Sequence, residues 1–242
     1  MGLGPNYLEY IEESVAATLG DLRDKRMLEL GDQEIAHDQI PEKTGKEYYE
    51  NRGVDHTSFD LNGRHGAHRV DLAKPIREQP WLGAFDIVTN SGTTEHVEPF
   101  EAQYVCFMNI HNCLKTGGIS VHLVPDVDEL ERRGRCKGHC NYYYSHEFFV
   151  LLAELNHYTL VSSKVVRGLR CACLRKNEDR PFTEDRKAVL AAIARKEGGK
   201  VYFGINDQSV FGPIRQLLRR VLDVTRPVRR RLGLMRRPPT AH

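Results

Sequence analysis

Carboxylates stand at the ends of four apolar runs in this 242-residue chain: Asp32 after RMLELG, Asp60 in HTSFD, Asp71 in AHRVD and Asp126 after GISVHLVP. A fifth run, AFDIV, passes into the polar stretch Thr89-Asn90-Ser91-Gly92-Thr93. An ionised carboxylate only accepts hydrogen bonds, so one at a strand end suits the two neighbouring hydroxyls of a ribose. A rim of acids repels a pyrophosphate and tolerates a cationic or neutral ligand. A dinucleotide needs a glycine-rich turn that sets its pyrophosphate on a helix N-terminus. Here that turn reads Gly31-Asp32-Gln33-Glu34, which places an acid where the phosphates would lie.

S-Adenosylmethionine has no phosphate and carries a sulfonium, an ammonium, a carboxylate and a ribose, so it fits the acidic rim better than a dinucleotide does. Methyl transfer from a sulfonium is a direct displacement. Positioning supplies most of the rate, and a base is needed only when the nucleophile must lose a proton. His96 and His139 are the candidate bases, with His146 a further one. Glu95-His96 also reads as the first turn of a helix, where glutamate complements the macrodipole. Cys136, His139 and Cys140 in CKGHC, with Cys171 and Cys173 later, would have to converge to bind zinc. CACL is more simply a buried strand, so no metal is assigned. His65 and His68 in HGAH read as an exposed turn without a partner.

The elements that must position these groups follow from periodicity. Leu8, Ile11, Val15 and Leu19 predict a helix over residues 6–20, ended by Gly20-Asp21. RMLEL is a short buried strand, followed by an irregular insert over 32–53 with a short helix around Lys46 to Asn51. HTSFDL, AHRVDL and AFDIVTNSG are strands, and residues 98–115 have helical spacing. LKTGG turns that helix into the strand GISVHLVP. Ser145 to Asn156 is an amphipathic helix preceded by Tyr142, Tyr143 and Tyr144, which either anchor the helix or line an acceptor pocket. YTLVSSKVV and LRCACLRK pair through Arg167-Gly168, and residues 183–197 are predicted to form one more helix. Alternating strands and helices predict a mostly parallel sheet, with the terminal hairpin adding an antiparallel strand at one edge.

Taken in order, MLELG, Asp60, VDL, FDIVTNSGTTEHV and LKTGGISVHLVP resemble the class I S-adenosylmethionine-dependent methyltransferases over residues 20–176. The resemblance implies an α/β, Rossmann-like fold: a mostly parallel seven-stranded sheet with a C-terminal antiparallel strand and helices on both faces. It implies S-adenosylmethionine as cofactor, with Gly31 near its methionine part and Asp60 on its ribose. It also implies Asp71 by the adenine and the segment from Asn90 through Ser91 and Gly92 to His96 near the reactive methyl. Asp32 and Gln33 are expected to supplement Gly31, because the family's usual Gly-x-Gly-x-Gly is reduced here to one glycine. That reduction leaves a second reading open, a degenerate methyltransferase fold acting as a non-catalytic binding or scaffold module.

Composition bounds the rest. With 40% hydrophobic residues and six cysteines, the chain is long enough to bury a core without a disulfide framework. Its net charge of +2 is unevenly spread. Residues 213–242 hold nine arginines and one aspartate, so the remaining chain has 26 basic residues against 32 acidic ones. The organisation expected is a methyltransferase-like α/β domain over 1–180, including the N-terminal helix over 1–20 and the insert, then a helical, basic extension over 181–242. The tail suits peripheral contact with an anionic membrane surface. Nucleic acid is disfavoured, because the arginines lack aromatic interleaving and a reading motif. The expected acceptor is a small molecule, a sugar or a lipid-linked intermediate. The N-terminal segment lacks a secretory signal pattern and no apolar run is long enough to span a bilayer, so a cytoplasmic location is expected. No particular oligomeric state is implied.

Overall fold

The computed structural model describes residues 2–129, 139–197 and 200–203. Its strands are β1 (Arg26–Leu30), β2 (Asp55–Asp60), β3 (His68–Arg69), β4 (Phe85–Ser91), β5 (Leu114–Pro125), β6 (Tyr142–Tyr143), β7 (Tyr158–Val166), β8 (Leu169–Lys176), β9 (Ala194–Glu197) and β10 (Lys200–Phe203). Its helices are α1 (Pro5–Thr18), α2 (Gly45–Glu50), α3 (Ala102–Cys113), α4 (His146–Asn156) and α5 (Arg186–Ala191). The main sheet runs β3-β2-β1-β4-β5-β8-β7, and β10-β9-β6 form a small second sheet. β1 pairs in parallel with both β2 and β4, and β5 with β4, while β8 is antiparallel to β5 and β7. This is the expected α/β arrangement, a mostly parallel sheet with an antiparallel C-terminal strand.

The antiparallel strand is not at the edge, as the hairpin pattern suggests. β8 lies between β5 and β7, and burial explains why. LRCACLRK is buried at all but one position, whereas no residue of YTLVSSKVV is. A strand covered on both faces belongs inside the sheet, and the more polar one closes it.

Two apolar layers cover the sheet. Leu28, Leu30 and Val88 pack with Phe107 of α3 and Phe148 and Phe149 of α4 on one face. Met27, Ile87, Ile119 and Val121 pack with Ile11 and Val15 of α1 and Tyr49 of α2 on the other. Cys171 and Cys173 belong to that second layer as ordinary core side chains. Both α2 and α4 start at side-chain caps, where Thr44 accepts from Glu47 N and Ser145 from Phe148 N. Among the described residues no helix is long and apolar enough to cross a membrane.

Three local expectations change. The helix predicted over 183–197 is confined to α5. Asp185 caps it by accepting from Ala188 N, and residues 194–197 become a strand because they pair with β6. Val189, Leu190 and Ile193 join the main core, where α5 packs against α3 and α4. The LKTGG turn is absorbed into β5, which begins directly after α3. Tyr142–Tyr143 form a strand, and Tyr143 and Tyr144 are fully buried anchors. The basic tail over 213–242 and Cys136 lie outside the described residues.

Candidate functional site

A cleft of about 530 Å³ opens where β1, β2, β3 and β4 end. Gly31, Asp32, Gln33, Asp60, Asp71, Gly92 and His96 line it, so the fold brings together most of the residues singled out in the sequence. Leu61, Val70, Thr93 and Glu98 are among its other walls, and none of the described lining residues is lysine or arginine. A larger hollow of about 840 Å³ lies at the other end of the sheet, beside Lys176. There the Lys176 ammonium donates to the carbonyls of His111 and Leu114, which reads as a cation closing the C-terminus of α3.

The first loop is held by side chains rather than by a run of glycines. Gly31 has φ +86°, and a Cβ there would sit 2.5 Å from Thr93 Oγ1, so this one glycine is required. Thr93 Oγ1 donates to Leu30 O at 2.6 Å and ties the loop to the end of β4. Gln33 is buried, with Nε2 at 3.4 Å from both Leu30 O and Thr93 Oγ1. Beneath the loop, Glu29 Oε2 accepts from Gln33 N at 3.4 Å and lies 3.6 Å from His56 Nε2. Burial pushes the Glu29 carboxyl above its ordinary range, and the His56 contact opposes that shift.

Asp60 accepts from Asp32 N at 3.0 Å and from Asn62 N at 2.8 Å, one bond on each oxygen. The Asp32 carboxylate, only 5% exposed, meets His65 Nδ1 at 2.7 Å. His65 therefore braces the loop, against the expectation of an unpartnered turn, and His68 packs on Trp81 and Phe59. The two members of the Asp32–His65 pair lie 33 residues apart, so spacing carries no signal of it. Asp71 stands at the opposite rim, accepting from Ala73 N and pairing with Lys74 at 3.1 Å.

Asn90 and Ser91 do not line the cleft. They still belong to β4, so their side chains point to the two faces of the sheet, and only from Gly92 does the chain leave it. Asn90 is fully buried in a polar network that sequence reasoning missed. Its amide donates to Thr94 Oγ1 at 2.9 Å and lies 3.2 Å from His122 Nδ1, while Ser120 Oγ lies 3.0 Å from His122 Nε2. Burial holds the His122 imidazole down to about 3, so it is neutral. Tyr144 OH donates to Gln103 Oε1 at 2.6 Å, and Gln103 Nε2 donates to Thr94 O and Val97 O at 2.7 and 2.8 Å. The network fixes the 3₁₀ turn Thr94–His96 that presents His96 to the cleft. His139 does not line the cleft, but its ring meets that of His96 edge-on at 5.1 Å. Burial, with His139 second, pushes the His96 imidazole below its usual range. His146, at the start of α4, is exposed and outside the cleft.

Glu95, on the same turn, is fully buried, and among the described residues neither carboxylate oxygen has a hydrogen-bond partner. Burial pushes its carboxyl from 4.5 up to about 8. The folded protein thus keeps a proton that the unfolded chain releases. The associated stability is full below about pH 4.5 and is lost as pH rises through about 8, at roughly 1.4 kcal/mol per pH unit. Glu95→Gln is expected to remove that slope and to be more stable than the parent by about 5 kcal/mol at alkaline pH. Urea unfolding at acidic and alkaline pH reads it, and identical pH slopes in the two proteins would refute it.

No family model matches the chain, and no curated protein matches it. Solved structures do. The N-methyltransferase NodS from Bradyrhizobium japonicum WM9, in complex with S-adenosylhomocysteine, superposes with a TM-score of 0.51 at 15% identity, covering 72% of this chain and 89% of that one. The 1,6-didemethyltoxoflavin-N1-methyltransferase of Burkholderia thailandensis has a TM-score of 0.48 at 16% identity, over 70% and 79%. The fold is the Rossmann-like fold of class I methyltransferases, as the order of the seven strands and the NodS superposition agree.

Proposed function

We propose that the cleft binds S-adenosylmethionine and that the protein transfers its methyl group to a small-molecule, sugar or lipid-linked acceptor. Asp60 carries this reading. Each of its oxygens is steadied by one backbone N–H, which leaves each a further lone pair for a ribose hydroxyl. Leu61, 71% exposed beside Val70 and Leu72, offers an apolar surface for a purine next to Asp71. Gly31 permits close approach of the methionine part, and His96 stands at the far wall as a neutral base. Asp32, Asp60, Asp71 and Glu98, with no lysine or arginine among the described lining residues, suit a sulfonium and disfavour a pyrophosphate. The lipid-linked option rests on the nine arginines of the tail, whose charge suits an anionic surface.

The scaffold reading draws on the same loop, because Asp32 and Gln33 are occupied in bracing it rather than left open. Calorimetric titration of the full chain separates the alternatives. S-Adenosylhomocysteine is expected to bind saturably and NADH not at all. Saturable NADH binding without S-adenosylhomocysteine binding overturns the assignment. Cofactor binding with no methyl release across acceptor panels favours the scaffold.

A further inference from the structure

We infer that the acceptor presents a protonated amine, held by Glu98 and deprotonated by His96, and that its nitrogen is the atom methylated. This rests on the methyl-transfer reading and goes beyond it in naming the nucleophile.

The strand order places the groups. The sheet runs β3-β2-β1-β4, with Asp71, Asp60, Gly31 and the segment from Gly92 to Glu98 following those strands in turn. With the ribose on Asp60 and the methionine part by Gly31, the methyl faces the wall made by His96 and Glu98. Glu98 is exposed to the cleft, and its carboxylate is fixed by two donors. Asn141 Nδ2 donates to Oε1 at 2.6 Å, and Tyr142 OH donates to Oε2. Burial pushes the Tyr142 phenol far upward, so it remains a donor at working pH. A carboxylate has about four acceptor sites, so roughly two are left for a ligand.

A fixed anion at the methyl end discriminates among nucleophiles. An alcohol or phenol must gather negative charge on oxygen beside Glu98, and an acidic acceptor meets repulsion that no lysine or arginine among the described lining residues offsets. An ammonium is attracted instead. Among the described residues neither ring nitrogen of His96 is hydrogen-bonded, so one can take the proton from R–NH3+. The freed nitrogen lone pair then forms the N–CH3 bond as the C–S bond breaks, and that bond's electron pair stays on sulfur. The products are R–NH2+–CH3, S-adenosylhomocysteine and protonated His96, which returns its proton to solvent.

The test uses the full chain saturated with S-adenosylhomocysteine and two probes of one shape, benzylamine and benzyl alcohol, compared by calorimetry. Benzylamine is expected to bind about fivefold more tightly, the upper scale of one exposed charge pair. The preference should fade above the pKa of the amine and in Glu98→Gln. Equal affinities, a preference for the alcohol, no saturable benzylamine binding, or a preference unchanged in Glu98→Gln each overturns the inference. The pH series on the unaltered protein tests the same charge pair without any variant. Failure of S-adenosylhomocysteine itself to bind would instead sink the methyl-transfer reading on which the inference rests.

Discussion

Asp60→Ala is expected to weaken S-adenosylhomocysteine binding about 100-fold, the equivalent of two charge-assisted hydrogen bonds at about 1.5 kcal/mol each. The carboxylate has two tasks. It is positioned to take the ribose hydroxyls, and it also holds Asp32 N and Asn62 N, so its loss frees both the first loop and the turn after β2. Asp60→Asn should lose less, because the amide oxygen still accepts while the amide nitrogen does not. Asp71→Ala should lose less again, since Asp71 stands at the outer rim and is partly engaged by exposed Lys74. Calorimetry on the three variants, with circular dichroism to confirm folding, gives the ranking. Asp60→Ala binding as tightly as the parent would remove the ribose role.

Arg170→Ala should produce the largest loss of stability, about 3–5 kcal/mol. Asp126 follows β5, and its side chain is fully buried. Arg170 on β8 meets its Oδ2 through Nε at 2.8 Å and Nη2 at 2.6 Å. Taking the guanidinium away removes two donors and a positive charge from that buried carboxylate, so the loss should exceed that of an exposed pair. Asp126 also bridges to Tyr144, which reaches the Thr94–His96 turn, so loss of the pair should loosen the acceptor end of the cleft. Urea midpoints of Arg170→Ala and the parent decide it. A variant within about 1 kcal/mol of the parent would contradict the expectation.

Much of this is legible in the sequence because it is local. RMLEL, HTSF and AFDIV read as strands from their own residues, and Gly31, Asp60 and Gly92 mark where those strands end. That is why Gly31, Asp60 and Gly92 can be picked out. What sequence reading misses depends on contacts remote along the chain. Asn90 and Ser91 read as pocket residues because they are polar, and the strand's extra two residues put them in the core instead. His65 looks idle because its partner, Asp32, lies across the insert. His122 reads as one polar residue in a β strand, and only the folded sheet brings it to Asn90. Glu98 and Tyr142 carry no motif, and their pairing depends on the second, three-stranded sheet, where residues 194–197 abandon a helical pattern to pair with β6.

On the proposed function, this acidic, glycine-poor cleft holds a sulfonium cofactor with its ribose on Asp60. A crystal structure of the full chain grown with S-adenosylhomocysteine tests it most directly. Expected are both ribose hydroxyls on the Asp60 carboxylate, the adenine against Leu61 near Asp71, the homocysteine part over Gly31, and the sulfur facing His96 and Glu98. Ligand density elsewhere on the protein, or an empty cleft in crystals grown at saturating ligand, would contradict it.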